Sequence, residues 1–301
     1  MKVHLHEKDL RMLEEKANEI RQTLIEALIG AGSGHSAGPL GMADIFAALF
    51  FYILRHDPKN PAWEERDRLV LSNGHICPVL YSAMAHAGYA SVEEYKKTLR
   101  KFGTKFQGHP HRQYFGAVET SSGPLGSGLS QAVGMALADR MDRGRSSGRF
   151  IYALLSDAEE DAGNLWEAAM LAGKEKLGNL IAVVDRNNIQ IDGYTEDIMP
   201  LEPLRQKWEA FNWHVQEIDG HNFLDIIEHI NEAKAVFSKP SVILAHTIPG
   251  KGVSFMERDF KWHGTPPGAS DMPGEPPKGE QGRLALEELR TLGGRIISEH
   301  Q

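Results

Sequence analysis

Apolar positions along the chain change period partway through. Leu10, Leu13, Ala17, Ile20, Leu24 and Leu28 recur at three- and four-residue spacing, which places them on one face of a helix, and Gly30, Gly32 and Gly34 follow as its stop signal. Ile45 to Leu54 is an unbroken apolar run preceded by Asp44; it is too short to cross a bilayer and reads as a buried helix. After a helix-rich stretch come short continuous apolar runs at Phe150 to Leu155, Leu180 to Val184, His214 to Ile218 and Ser241 to Ala245. Strands covered on both faces have this appearance. Helical segments at Leu165 to Glu175 and Asp225 to Phe237 separate them. The predicted fold is therefore α/β, with a central, mainly parallel sheet and helices on both faces. From Pro266 to Gly282 the chain is rich in Pro and Gly, and Leu284 to Leu292 reads as a short terminal helix. The expected organisation is one domain over 1–265 and a tail over 266–301.

Charge and cysteine usage narrow the function. A net charge of -8, from 33 Lys+Arg against 41 Asp+Glu, argues against a nucleic-acid partner. The single Cys77 forms no internal disulfide, so nothing points to an oxidising compartment. Residues Met1 to Asp9 contain no apolar run before a small-residue cleavage site. The expectation is a cytoplasmic protein without a membrane role.

Ligands of parallel α/β sheets sit outside the carboxyl ends of the strands. Asp157 follows one predicted strand and Asn187 the next, one crossover apart, so their side chains can meet. A carboxylate with an amide oxygen is hard-oxygen ligation suited to Mg²⁺ or Ca²⁺ and to a diphosphate. Taken alone, the same two residues favour a helix N-cap and a turn residue. Fourteen histidines are unusually many for this length. Four of them occupy Gly-rich turns: Ser33-Gly-His35, Ser72-Asn-Gly-His75, Gly108-His109-Pro110 and Trp262-His263-Gly264. Imidazoles on loops can move protons near neutral pH. The other ten read mostly as surface residues. Gly123-Pro-Leu-Gly-Ser-Gly128 opens an apolar helix and lets backbone approach a ligand closely.

Taken in order, Ser33-Gly-His-Ser-Ala-Gly-Pro-Leu-Gly-Met-Ala43, Leu71-Ser-Asn-Gly-His75, Gly108-His-Pro110, Thr120-Ser-Ser-Gly-Pro-Leu-Gly126, Trp166-Glu-Ala-Ala169, Asp185 to Gly193 and Lys251 to Glu257 with Trp262-His-Gly264 resemble successive signatures of the transketolase family. The resemblance covers about residues 10 to 265. It implies a domain binding thiamine diphosphate through Mg²⁺, with Ca²⁺ as a substitute, held by Asp157, Asn187 and the main chain of Ile189. It also implies that His75 and His263 approach the diphosphate and reacting centre, that Gly123 and Leu125 contact the cofactor rings, and that Ala158 lies beside the diphosphate. His35, His109 and His263 would line the substrate channel.

The implied reaction is transfer of a two-carbon ketol unit from a ketose phosphate to an aldose phosphate, as in pentose phosphate metabolism. Whole family members are about twice this length. The resemblance therefore implies the N-terminal subunit of a split transketolase, self-associating as a dimer and completed in a heterotetramer by a C-terminal, pyrimidine-binding subunit that supplies the catalytic glutamate.

Four departures surround the cofactor. Ser156-Asp-Ala158 replaces the family's Gly-Asp-Gly, Ala162 replaces a Glu of an acidic network linking paired subunits, Pro249 stands where a Lys is common, and Ser36-Ala-Gly-Pro39 is a shuffled Pro-Gly-Ala-Pro. They sustain two alternatives: a non-catalytic assembly or regulatory subunit with an impaired cofactor site, or a component of another thiamine-diphosphate enzyme such as a 2-oxo acid dehydrogenase or a deoxyxylulose-phosphate synthase. The full histidine set speaks against the last.

Overall fold

The computed structural model describes residues 5–144 and 148–291. Five strands form one parallel sheet: β1 (Arg68–Leu71), β2 (Ile151–Ser156), β3 (Leu180–Arg186), β6 (His214–Asp219) and β7 (Ser241–His246), in the order β1-β2-β3-β7-β6. A small antiparallel pair, β4 (Ile189–Gln190) and β5 (Gly193–Tyr194), follows β3.

The expected sheet of four runs is present, and β1 adds a strand within the stretch read as helix-rich. Its four residues begin with Arg68, and it pairs on one side only, so its apolar signal is weak.

The central strands β2 and β3 are buried along their whole length and β7 along all but His246, and their side chains alternate between two cores. Tyr152, Leu154, Ile181, Val183, Ile243 and Ala245 join one apolar cluster. Ile151, Ala153, Leu155, Leu180, Ala182, Val184, Val242 and Leu244 join the other. The first face is covered by the helices Glu7–Ala31, Ala43–Ala48, Cys77–His86 and Phe223–Ala235, the second by Ser127–Arg143, Gly163–Glu175 and Leu204–Ala210. Two-face burial of a period-2 element is why these strands read as unbroken apolar runs.

Helix Glu7–Ala31 carries the predicted stripe inward and ends at Gly32, whose φ of 64° allows its N–H to close on the Leu28 carbonyl. Gly30 lies inside the helix. The Ile45–Leu54 run is helical and largely buried, with a wider turn over Leu49–Ile53. The terminal helix spans Lys278–Thr291, so the predicted end at Leu292 lies outside the described residues. It packs on the first helix: Ala285 and Leu289 are in the core, and Asn18 Nδ2 donates to the Leu289 carbonyl at 3.1 Å. Among the described residues no helix is long and apolar enough to cross a membrane.

Candidate active site

The carboxyl ends of β1, β2, β3 and β7 deliver, respectively, the turns bearing His75, Asp157, Asn187 and Thr247. Three of the four singled-out histidines converge. Ring centroids lie 4.9 Å apart for His35 and His75, 5.5 Å for His35 and His263, and 5.2 Å for His75 and His263. Residues 36, 262 and 265 explain how segments distant in sequence meet: Ser36 Oγ lies 3.0 Å from the Trp262 carbonyl and 2.7 Å from that of Thr265. The serine of the shuffled motif is thus the tie between the His35 and His263 loops.

His109 is exposed at the rim. A Cβ on Gly123 would stand 3.5 Å from its ring, so the Gly-rich loop runs directly beside it. Gly123 has φ of 155°, Gly126 has φ of 81°, and Leu125 between them is exposed.

Burial holds these imidazoles neutral. Desolvation, then the charges of His263, His109 and Arg100, brings His35 down to about 3, and desolvation brings His263 down to about 4. His75 falls well below the usual value through desolvation and the charges of His35, His263 and His109, and His109 falls through desolvation and Arg100. His35 Nδ1 and His263 Nδ1 are buried without a hydrogen-bond partner among the described residues. Neutral rings packed together with unpaired nitrogens can give and take hydrogen bonds from oxygen atoms of a ligand.

Asp157 is fully buried at the end of β2. Its Oδ1 accepts from the Ala158 N–H at 2.7 Å, and its Oδ2 from the Asn188 N–H at 2.7 Å and from Arg186 Nη1 at 3.2 Å. Desolvation outweighs these donors and pushes its carboxyl up to about 6. Asn188 reaches it by adopting φ of 64°, a left-handed conformation that Asn tolerates.

Asn187 does not hydrogen-bond Asp157. Its Nδ2 donates to Asp185 Oδ2 at 2.8 Å, and its Oδ1 accepts from the Ile189 N–H at 3.0 Å. Asp185, pushed up to about 7 chiefly by burial, is held in turn by the Thr247 hydroxyl. This relay fixes the amide with its nitrogen toward Asp185 and its oxygen toward the Ile189 N–H. The cap and turn roles are therefore both filled, and the hard-oxygen donor set suits a magnesium-like cation. A buried carboxylate still raised despite an arginine is a place where further positive charge is welcome.

Of the four departures, Ala158 is not among the non-glycine residues with positive φ, so its methyl costs no left-handed strain. Ala162 caps helix Gly163–Glu175 with φ of -81°, and a Cβ on Gly126 would come within 2.9 Å of its methyl. The nearby Glu160 carboxyl is buried and takes the Trp208 indole N–H at 2.8 Å. The Pro249 loop is pinned by the Gly250 N–H to the Ala37 carbonyl at 2.8 Å.

Three participants escape a reading of the sequence. Arg186 binds Asp157, Thr195, Glu196 and Glu202. Glu159 joins three loops, and Ser156-Asp-Ala-Glu159 has the spacing of a capping box, which is a local signal for it. His221, read among the surface histidines, is instead buried: Nδ1 lies 2.7 Å from Asp44 Oδ2, and Nε2 accepts from the Ile248 N–H at 2.8 Å.

Residues 12–275 match the family model described as transketolase, thiamine diphosphate binding domain. The chain is 47% identical over 251 residues to the 6-deoxy-6-sulfo-D-fructose transketolase subunit SqwG of Clostridium sp. (strain MSTE9), covering 83% of this chain and 90% of that protein. It is 40% identical over 251 residues to an apulose-4-phosphate transketolase subunit of Phocaeicola vulgatus, covering 83% and 88%. The transketolase of Leishmania mexicana superposes with a TM-score of 0.83 at 31% identity, over 96% of this chain and 43% of that one.

Proposed function

This chain belongs to the transketolase family, where it corresponds to the thiamine diphosphate binding domain, and from that premise we propose that it is the N-terminal subunit of a split transketolase. It moves a two-carbon ketol unit from a ketose to an aldose, at a site completed by a pyrimidine-binding subunit. The observation that carries this reading is the meeting of His35, His75 and His263 over the carboxyl end of the sheet that presents Asp157 and Asn187. The match over nearly the whole of two proteins named as transketolase subunits, against under half of a complete transketolase, supports the split arrangement.

Thiamine diphosphate, when bound, supplies the electron sink that allows a carbon–carbon bond beside a carbonyl to break. Asp157, the Asn187 Oδ1 and the Ile189 carbonyl hold Mg²⁺, or Ca²⁺ in its place, and so anchor the diphosphate. Ala158 lies beside that diphosphate, and Gly123 and Leu125 contact the cofactor rings. His75 and His263 face the diphosphate and the reacting carbon. His35, His109 and His263 hydrogen-bond the sugar oxygens and move protons between carbonyl and hydroxyl. Their neutral state suits this work, because a neutral ring has one nitrogen to donate and one to accept.

The related subunits are named for sugars that carry a sulfonate or a phosphate, so a ketose with a terminal anion is the substrate class proposed. A homodimer of this chain within a heterotetramer, working in the cytoplasm, completes the proposal. Calorimetric titration with thiamine diphosphate and Mg²⁺ tests it: saturable, Mg²⁺-dependent binding is expected, and no binding with the partner subunit present would favour a non-catalytic role.

A further inference from the structure

We propose that Glu159 is a positioning residue of the cofactor site, a single buried carboxylate that sets the spacing between the His75 turn, the Asp157 turn and the Gly123–Gly126 loop. The inference rests on the functional reading above for what those loops hold, but its geometry stands independently. Glu159 is 1% exposed. Its Oε1 accepts from the Ser72 hydroxyl and from the Gly126 N–H at 2.6 Å, and its Oε2 accepts from the Ser156 N–H at 3.1 Å.

Each partner sits at the root of a different loop. Ser72 follows β1 three residues before His75, Ser156 ends β2 directly before Asp157, and Gly126 closes the loop that begins at Gly123.

Among the described residues no cation is a hydrogen-bond partner of this carboxylate. What stabilises it is a convergence of N–H and O–H dipoles, one of them at the start of the 17-residue helix Ser127–Arg143. That helix has a glycine at its N-cap and no side-chain cap of its own, so its first N–H groups need outside acceptors. Ser72 Oγ takes the Gly128 N–H at 3.0 Å while donating its own proton to Glu159. Glu159 and Ser72 together cap the helix from another part of the chain, and a negative group there is favoured by the helix dipole.

Substitution from the loop side cannot replace this arrangement. A Cβ on Gly128 would lie 2.4 Å from Ser72 Cβ, and one on Gly126 2.2 Å from Asn164 Oδ1. The helix itself is anchored separately, through Leu129, Ala132, Val133 and Ala136 in the apolar core. Loss of Glu159 should therefore loosen the loops more than the fold.

The experiment compares the full-length chain with Glu159→Ala, Glu159→Gln and Ser72→Ala, reading thiamine diphosphate affinity with Mg²⁺, the melting temperature without ligand, and amide hydrogen exchange over residues 122–130. Glu159→Ala should weaken binding about 10- to 100-fold, the range for removing a partner that orients a metal-site ligand, while the unliganded protein still melts cooperatively. Glu159→Gln keeps an oxygen for the Gly126 N–H and should recover part of the loss. Exchange at Gly126 and Gly128 should accelerate in Glu159→Ala.

Unchanged affinity together with unchanged exchange in Glu159→Ala would overturn the proposal. Should that variant fail to fold, Ser72→Ala decides: faster exchange at Gly128 with weaker binding supports the role, and wild-type behaviour in both refutes it. If the wild-type chain binds no cofactor even with the partner subunit present, the functional reading falls, and the exchange data alone still decide whether Glu159 sets the loops.

Discussion

The Arg186 guanidinium lies 3.2 Å from the Asp157 carboxylate, with the two side chains 5% and 0% exposed. The same guanidinium reaches Glu196 at 2.8 Å and Glu202 at 3.0 Å, so it joins the end of β2 to the segment beyond the β4–β5 hairpin. Removing one member of a buried pair leaves the other uncompensated. Arg186→Met is expected to cost about 3 kcal/mol in urea unfolding. Combined with Asp157→Asn, the double variant should be less destabilised than the two single effects added together; strict additivity would show that the pair is not coupled.

Ala158 stands where the family has glycine, and its backbone is not left-handed. Ala158→Gly is therefore expected to lower stability by about 0.4–1 kcal/mol, because it only frees the unfolded chain. A gain in melting temperature would mean that the alanine is strained after all.

His35 gives a pH dependence with a definite sign. Its folded value of about 3 lies below the ordinary 6.5, so as pH falls below 6.5 the unfolded chain takes up a proton that the folded chain refuses. The stability is whole above that value and is lost progressively toward the folded one. Set against His35→Asn, which removes the group and cancels the opposing carboxylates, the wild-type protein should lose about 2 kcal/mol more between about pH 8 and pH 5. Parallel stability curves for the two proteins would contradict a neutral, desolvated His35.

Asp157→Ala is expected to abolish the rise in melting temperature that thiamine diphosphate and Mg²⁺ give the wild-type chain. A shift of equal size in the variant would remove Asp157 from the metal site.

The sheet is legible in the sequence where burial on both faces leaves unbroken apolar runs, as in Ile151–Ser156 and Leu180–Arg186. It is illegible at Arg68–Leu71, a four-residue edge strand with two half-buried positions. The histidine turns are legible because small residues around an imidazole leave a mark in local sequence.

What joins them is not. Glu159 depends on β1 and β2 lying side by side in parallel register, Leu71 opposite Leu154, which brings Ser72 to it across the chain. Arg186 ends β3 and looks like any polar residue closing a strand until Glu196 and Glu202 fold back onto it. His221 reads as a surface histidine because its partners, Asp44 and the Ile248 N–H, come from distant elements.

The central claim is that this chain supplies one half of a shared transketolase site. A ketol-transfer assay with thiamine diphosphate and Mg²⁺ tests it most directly, run on the purified chain alone, on the chain with a pyrimidine-binding transketolase subunit, and on the same pair carrying Asp157→Ala. Turnover is predicted only for the wild-type pair. Substantial transfer by the chain alone, or undiminished transfer by the Asp157→Ala pair, would contradict the account.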